Sequence, residues 1–198
     1  MGFKIVAITG SVQAKAKTRA ALDIVLDEVT KRTDIEVDLI DPGTINLPLP
    51  GQNGDEGAIQ ELQDRVASAT GVVLGTPEYH GSYSSVIKLV IDNLGYPSVL
   101  AGKPIGLLGV AAGEIGAIKA LEHLRSVCSH VGALVLPGPV SIPSVHLMFD
   151  ESGNCTDERM ENRIRRLAET MTNYIEDHIC PKITLEDMVR RNEQQGGA

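Results

Sequence analysis

Gly71-Val72-Val73-Leu74-Gly75-Thr76-Pro77-Glu78-Tyr79-His80-Gly81-Ser82-Tyr83-Ser84-Ser85, continued by Val86-Ile87-Lys88-Leu89-Val90-Ile91-Asp92-Asn93-Leu94, decides how this chain is read. Val72-Val73-Leu74 is a short, wholly apolar run, the pattern of a strand covered on both faces of a parallel sheet. Residues 84–94 place Ile87, Val90, Ile91 and Leu94 on one helical face. Between them lies a loop rich in polar and aromatic groups. In parallel α/β sheets ligands sit beyond the carboxyl ends of the strands, so this loop is where chemistry belongs. Pro77 fixes the backbone there, and Gly81 lets it approach a flat ligand. Tyr79 and Tyr83 offer ring faces in a chain with four tyrosines, two phenylalanines and no tryptophan. A plainer reading makes Thr76-Pro77-Glu78 a turn, Ser82 or Ser84 a helix cap, and Tyr83 a packing residue.

The flanking sequence alternates strands and helices. Residues 3–9 form a first strand closed by Gly10-Ser11, and residues 18–31 a helix with Ala21, Leu22, Val25 and Val29 on one face. Residues 35–40 alternate apolar and acidic as a second strand. Residues 41–54 carry Pro42, Gly43, Pro48, Pro50 and Gly51 and form a loop. Helices follow at 55–69, 84–94, 117–131 and 157–178, with further strands at 105–110 and 133–136. Residues 137–153 show no clear element, and 190–198 are polar and end in glycine and alanine. The order β-α-β-α-β-α-β-α-β-α implies an α/β fold, three layers deep: a five-stranded parallel sheet with helices on both faces. Order 2-1-3-4-5 puts the switch point between strands one and three, where the loops after Gly10, Thr76 and Val110 converge. Residues 1–180 read as one domain, with 181–198 a polar tail.

Bulk properties narrow the function. A 198-residue chain with 42% hydrophobic and 22% charged residues has the composition of a globular domain. A formal charge of -8 disfavours nucleic acid and anionic membrane as partners. Cys128, Cys155 and Cys180 are odd in number and far apart, which points to neither disulfides nor zinc. No apolar run approaches the ~18 residues of a membrane span, and no signal-peptide pattern opens the chain, so the expectation is a cytoplasmic protein. No metal site is expected. His123 and His130, seven apart, lack companion ligands and read as core or surface.

Two further loops flank the central one. Gly10 to Arg19 leads into a helix start, where free N–H groups and the dipole suit a phosphate, with Lys15, Lys17 and Arg19 nearby. Thr18 as a simple N-cap beside a solvated basic surface is the alternative. Ala16-Lys17-Thr18 looks like the end of a Walker motif, but alanine replaces its second glycine and the spacing from Gly10 is wrong. G-x-G-x-x-G is absent too. The loop at 109–116 carries glycines that admit a ligand or merely turn the chain.

Thr76-Pro77-Glu78-Tyr79-His80-Gly81-Ser82, with the helix Val86 to Leu94, resembles the P-E-Y-N-G-S…L-K-N-A-I-D signature of the NADPH-dependent FMN reductase family. The likeness extends to Gly10-Ser11, to Gly113-Glu114-Ile115-Gly116-Ala117 and to His123-Leu124-Arg125. It implies a flavodoxin-like fold, FMN as cofactor, and NADPH or NADH as co-substrate. It also implies that Ser11, Lys17 and Thr18 hold the phosphate and ribityl chain; Gln13, able to donate a hydrogen bond from the same loop, is the further cofactor-binding candidate there. Pro77, Glu78, Tyr79 and His80 would border the ring, largely through backbone, Gly81 and Ser82 would complete the turn beneath it, and Ala112, Gly113 and Glu114 would close its far side. Asparagine is common in the family where this chain has His80, and arginine and serine where it has Gln13 and Ala16. Lys15, Lys17 or Arg19 stand as substitute cations.

No Ser-His-Asp set, H-E-x-x-H or carboxylate pair appears, so no protein residue is assigned as catalytic; the chemistry is borne by the flavin. The expected reaction is ping-pong hydride transfer from the nicotinamide through FMN to a small-molecule acceptor: a quinone, free flavin, azo compound or metal ion. A flavodoxin-type electron carrier and a flavin-binding sensor or partner protein are the alternatives, although the flavodoxin T-x-T-G-x-T loop is missing. Val86 and Leu89, outside the inward face of their helix, together with the family habit imply a homodimer or homotetramer.

Overall fold

Phe3–Thr9 (β1) and Gly71–Tyr79 (β3) are apolar over most of their length and sit side by side at the centre of a sheet. The structure, a computed structural model, describes residues 2–186. Lys17–Thr30 forms α1, Ile35–Ile40 β2 and Glu56–Ala67 α2. After β3 come Ser82–Tyr83 (β4), Ser85–Asp92 (α3), Pro104–Val110 (β5) and Ile118–His130 (α4). The chain continues through Leu134–Val135 (β6), Val140–Ile142 (β7), Val145–Met148 (α5) and Glu158–Tyr174 (α6). The spine of the sheet runs β2-β1-β3-β5-β6, all parallel. This is the flavodoxin-like order expected from the sequence.

Alternation along the strands divides the core in two. Ile5, Ala7 and Val73 face Leu22 and Val25 of α1 and Ile164, Leu167 and Met171 of α6. Val6, Ile8, Val72 and Leu74 face α2, α3 and α4 through Leu62, Ile87, Val90 and Leu124. Period-2 strands between period-3.6 helices give three layers from a single sheet.

Two strands differ from the sequence reading. β3 runs to Tyr79 rather than stopping at Leu74, because Thr76 and Pro77 still pair with Gly109 and Val110 of β5. Pro77 lies past the end of the β1 ladder, which closes at Thr9–Gly75, so its missing N–H breaks no bond on that side. The fifth strand is in two pieces. β6 pairs with Pro104 and Ile105, and β7 with Leu108 to Val110. Pro137 and Pro139 separate them, since neither can donate to the ladder. Residues 137–153, read as featureless, thus contain β7 and α5. Beyond α6 the chain passes through a π turn, Ile175–Ile179, and 180–186 are helical. The polar ending at 190–198 lies outside the described residues.

Arg65 of α2 ties the edge strand to the layer above it. Its Nε and Nη2 donate to the two Asp38 carboxylate oxygens at 2.9 and 2.6 Å. That hydrogen bonding holds the Asp38 carboxyl below its ordinary value, against some desolvation. The ionised form is therefore favoured by folding. Its contribution is present above the unfolded carboxyl value and is lost as pH falls through the lower folded one. Asp38→Asn is expected to cost about 1 kcal/mol at neutral pH. Urea unfolding should show that difference shrinking toward zero as the pH drops below the carboxylate range.

Candidate functional site

Three hydroxyls fasten the carboxyl ends of the central strands. Gly10 N–H donates to the Gly75 carbonyl at 2.6 Å, and Ser84 Oγ donates to the Gly10 carbonyl at 2.6 Å. Ser84 Oγ also accepts from Ile87 N–H at 3.2 Å, so Ser84 is the N-cap of α3. Its own N–H donates to Thr76 Oγ1 at 3.0 Å. Thr76 and Ser84 are buried, and Thr9 Oγ1 accepts from Ser11 N–H in the same layer. A Cβ at Gly10 would stand 2.7 Å from the Gly75 oxygen and 2.9 Å from Ser84 Oγ, so only glycine fits. The sequence reading left Ser82 or Ser84 open as the cap and missed Thr76. Its signal was a threonine closing an apolar run in the strand that precedes the helix.

The first loop leads into a helix start with free backbone donors. Ser11 is buried, and its Oγ accepts from Gln13 N–H at 3.4 Å; Gln13 itself is exposed. Thr18 is not a cap: it is a buried residue inside α1, whose N-cap is Ala16 with no side-chain hydrogen bond. No acidic residue occupies the first turn. Among the described residues, nothing accepts a hydrogen bond from the N–H groups of Lys17, Thr18 or Arg19. An uncapped, positively polarised helix start has the donors and the field that suit an anion. The nearby cations are largely committed elsewhere. Lys17 Nζ donates to the Asp150 carbonyl, and Arg19 pairs with Asp23 and Asp41.

The second loop is a hairpin. β3 and β4 pair antiparallel, with Glu78 opposite Tyr83 and Tyr79 opposite Ser82. The two connecting residues, His80 and Gly81, have φ of 50° and 75°. Positive φ at both positions is the type I′ requirement, met most often by asparagine and glycine; histidine is also enriched there. His80 thus occupies its place for backbone reasons. Glu78 Oε2 accepts from Ala120 N–H at 3.0 Å, and Ser82 Oγ lies 3.0 Å from His123 Nδ1. The Tyr83 ring packs on Ala111, Ala117 and Ala120, which corrects its reading as an open ring face. Tyr79 remains half-exposed. His123, read as core or surface, is the residue here that spacing alone could not find.

The third loop is held by the segment that looked featureless. Ala111 N–H donates to the Ile142 carbonyl at 3.0 Å, and Val145 N–H returns to the Ala111 carbonyl at 2.9 Å. Ser144 N–H donates to the Gly113 carbonyl at 3.0 Å, and Ser141 Oγ accepts from Ala117 N–H at 2.9 Å. Ala112, Gly113 and Glu114 are exposed. No acceptor among the described residues takes their N–H groups. The three loops follow strands in register, Thr9 beside Gly75 and Pro77 beside Val110, so they meet at one end of the sheet.

This constellation fits FMN: a helix start for the phosphate, a half-exposed tyrosine, and unpaired backbone donors for a flat, polar-edged ring. It does not fit thiol chemistry. Cys128 is buried in α4, and burial pushes its thiol up to about 12. Because His80 serves the turn, His80→Asn should leave stability within about 0.5 kcal/mol, whereas His80→Val should cost about 1–2 kcal/mol. Chemical denaturation of the two variants checks this.

Comparison with known proteins points the same way. The family model for NADPH-dependent FMN reductase matches residues 3–146. An NADPH azoreductase of Bacillus sp. strain OY1-2 is 32% identical over 179 residues, covering 88% of this chain and 96% of that protein. An FMN-dependent NADPH-azoreductase of Staphylococcus aureus is 28% identical over 177 residues, covering 85% and 93%. The solved structure of FerB, a flavoenzyme NAD(P)H:(acceptor) oxidoreductase from Paracoccus denitrificans, shares the fold. It superposes with a TM-score of 0.76 at 24% identity, covering 89% of this chain and 98% of that one. The matched residues span all three loops, and the chain belongs to the NADPH-dependent FMN reductase family.

Proposed function

We propose that the three loops are where this FMN-dependent NAD(P)H oxidoreductase holds its flavin. The observation that carries the reading is the uncapped start of α1, with the N–H groups of Lys17, Thr18 and Arg19 lacking acceptors among the described residues. In this reading Ser11, Gln13, Lys17 and Thr18 hold the phosphate and ribityl chain. Pro77, Glu78, Tyr79, His80, Gly81 and Ser82 border the ring on one side, and Ala112, Gly113 and Glu114 on the other. When bound, FMN supplies the redox chemistry, taking a hydride from NADPH or NADH and giving electrons to an acceptor. The protein's part is to bind and orient. Backbone N–H groups at 112–114 favour negative charge on whatever polar edge they face. Glu78 spends its carboxylate on α4, so it works by placing the strand end, not by moving protons.

Azo compounds, quinones, free flavin and metal ions are the acceptor classes we assign to the open face, used in turn with the nicotinamide. Val12, Tyr79, Ile115 and Leu147, one on each segment around the site, are exposed at 55, 50, 82 and 67%. So apolar a rim, with the half-buried Val86 and Leu89 on α3, supports a homodimer or homotetramer in which a second copy shelters the site. No helix among the described residues is long and apolar enough to cross a membrane. We place the enzyme in the cytoplasm, where reduced nicotinamide is available and free thiols persist.

Protein reconstituted with FMN is expected to oxidise NADPH or NADH with a quinone or azo acceptor, and protein stripped of flavin is not. Ala16→Asp would put a carboxylate on the empty N-cap. It should weaken FMN binding by about tenfold or more while leaving riboflavin, which has no phosphate, unaffected. Equal effects on both ligands, read by flavin fluorescence quenching, would remove the phosphate from this helix start.

A further inference from the structure

Glu78 and Ser82 each reach the first turns of α4. Glu78 accepts from Ala120 N–H, the Lys119 stem lies beside Gly81, and Ser82 Oγ is 3.0 Å from His123 Nδ1. Because α4 begins directly after the third loop, these contacts join two of the three loops around the site. Only the Ser82–His123 contact involves a ring whose protonation changes what its partner must do. A neutral imidazole can accept from the Ser82 hydroxyl at Nδ1 or donate to it. An imidazolium has two donors and no acceptor, so Ser82 Oγ must accept and its own O–H must point elsewhere.

We infer that His123 is a positioning residue of the flavin site: through Ser82 it sets whether that hydroxyl presents a proton to the bound ring. The inference rests on the reading of the three loops as the flavin site. The polar edge of a flavin carries carbonyl oxygens and bare ring nitrogens against a single N–H, so an outward-pointing donor is the better match. A charged His123 therefore favours binding over a neutral one. The other groups able to respond are few. α4 packs chiefly against β3, β4, β5 and β6, of which β5 and β6 bring no ionisable side chain. β3 brings Glu78 and Tyr79, β4 brings Tyr83, and the turn brings His80. On α4 itself Lys119, Glu122 and Arg125 stand within a turn of His123. Glu78 is already bonded to the helix, which leaves His80, on the hairpin, as the other imidazole.

The test uses riboflavin with the full chain, so that the phosphate of FMN does not titrate. Binding is read by fluorescence quenching from about pH 5 to about pH 8. Wild type should weaken by roughly three- to tenfold across that range, the span of one hydrogen bond's net contribution. Ser82→Ala and His123→Asn, which keeps a polar group in place of Nδ1 but does not titrate, should give flat profiles at unchanged melting temperatures. In flavin-free protein, Ser82→Ala should move the nitrogen-15 resonances of the His123 ring. A wild-type profile in either flat variant, or unmoved ring nitrogens, overturns the role of His123 alone. Should His123→Asn fail to fold, Ser82→Ala decides by itself. Failure of the wild type to bind both riboflavin and FMN at every pH removes the flavin site and this inference with it.

Discussion

The hydrogen bond from Ser84 Oγ to the Gly10 carbonyl, 2.6 Å long and fully buried, is the constraint on which the site depends. Gly10 directly follows β1, and its N–H is already given to Gly75 in β3. Without Ser84 its carbonyl would be a buried acceptor with no partner, at a cost of about 1–3 kcal/mol. The same oxygen of Ser84 caps α3, and the Ser84 N–H reaches Thr76. One serine thus fixes the start of the first loop, the end of β3 and the start of α3 together. Glycine at position 10 is the counterpart of that contact, since a Cβ would collide with both of its partners.

The far side of the site rests on a different device. Pro137 and Pro139 break the fifth strand, and the break lets β7 pair only with the upper half of β5. Ser141 on β7 then takes the Ala117 N–H, and a Cβ at Gly116 (φ 81°) would stand 2.4 Å from its Oγ. Residues 142–145 clamp Ala111 and Gly113 from outside. An interruption that weakens the sheet edge thereby gives the third loop a rigid support, while its own N–H groups stay unpaired.

Much of this was legible in the sequence because periodicity survives folding. Ile5 to Ile8, Leu22 to Val29 and Ile164 to Met171 lie where their spacing puts them, and the parallel order follows from the alternation of elements. Val140-Ser141-Ile142 was illegible because three residues between prolines and a serine turn carry no period. The β3–β4 hairpin was illegible for another reason. His80-Gly81 lacks the asparagine that advertises a type I′ turn, and Ser82-Tyr83 is too short to alternate. The Ser82–His123 contact joins residues forty-one apart and arises only when α4 is docked. Such meetings are set by packing, on which a linear pattern is silent.

The charge pattern raises a last point. A chain of net charge -8 has little long-range attraction for a phosphate, and the two best-placed side-chain cations are engaged elsewhere. Whatever holds an anion at Ser11 to Arg19 must act at short range. The backbone N–H groups of the first helical turn have that reach: their partial charges fall off within that turn and are fixed by the fold, with no side-chain entropy to lose. Salt screens interactions that span more than a Debye length far more than it screens such contacts. Anion binding at this helix start should therefore be nearly indifferent to ionic strength, whereas a site built from the neighbouring lysines and arginine would weaken steeply with added salt. Measuring FMN affinity against salt concentration separates the two, and a steep dependence would assign the anion to Lys15, Lys17 or Arg19 instead of the main chain.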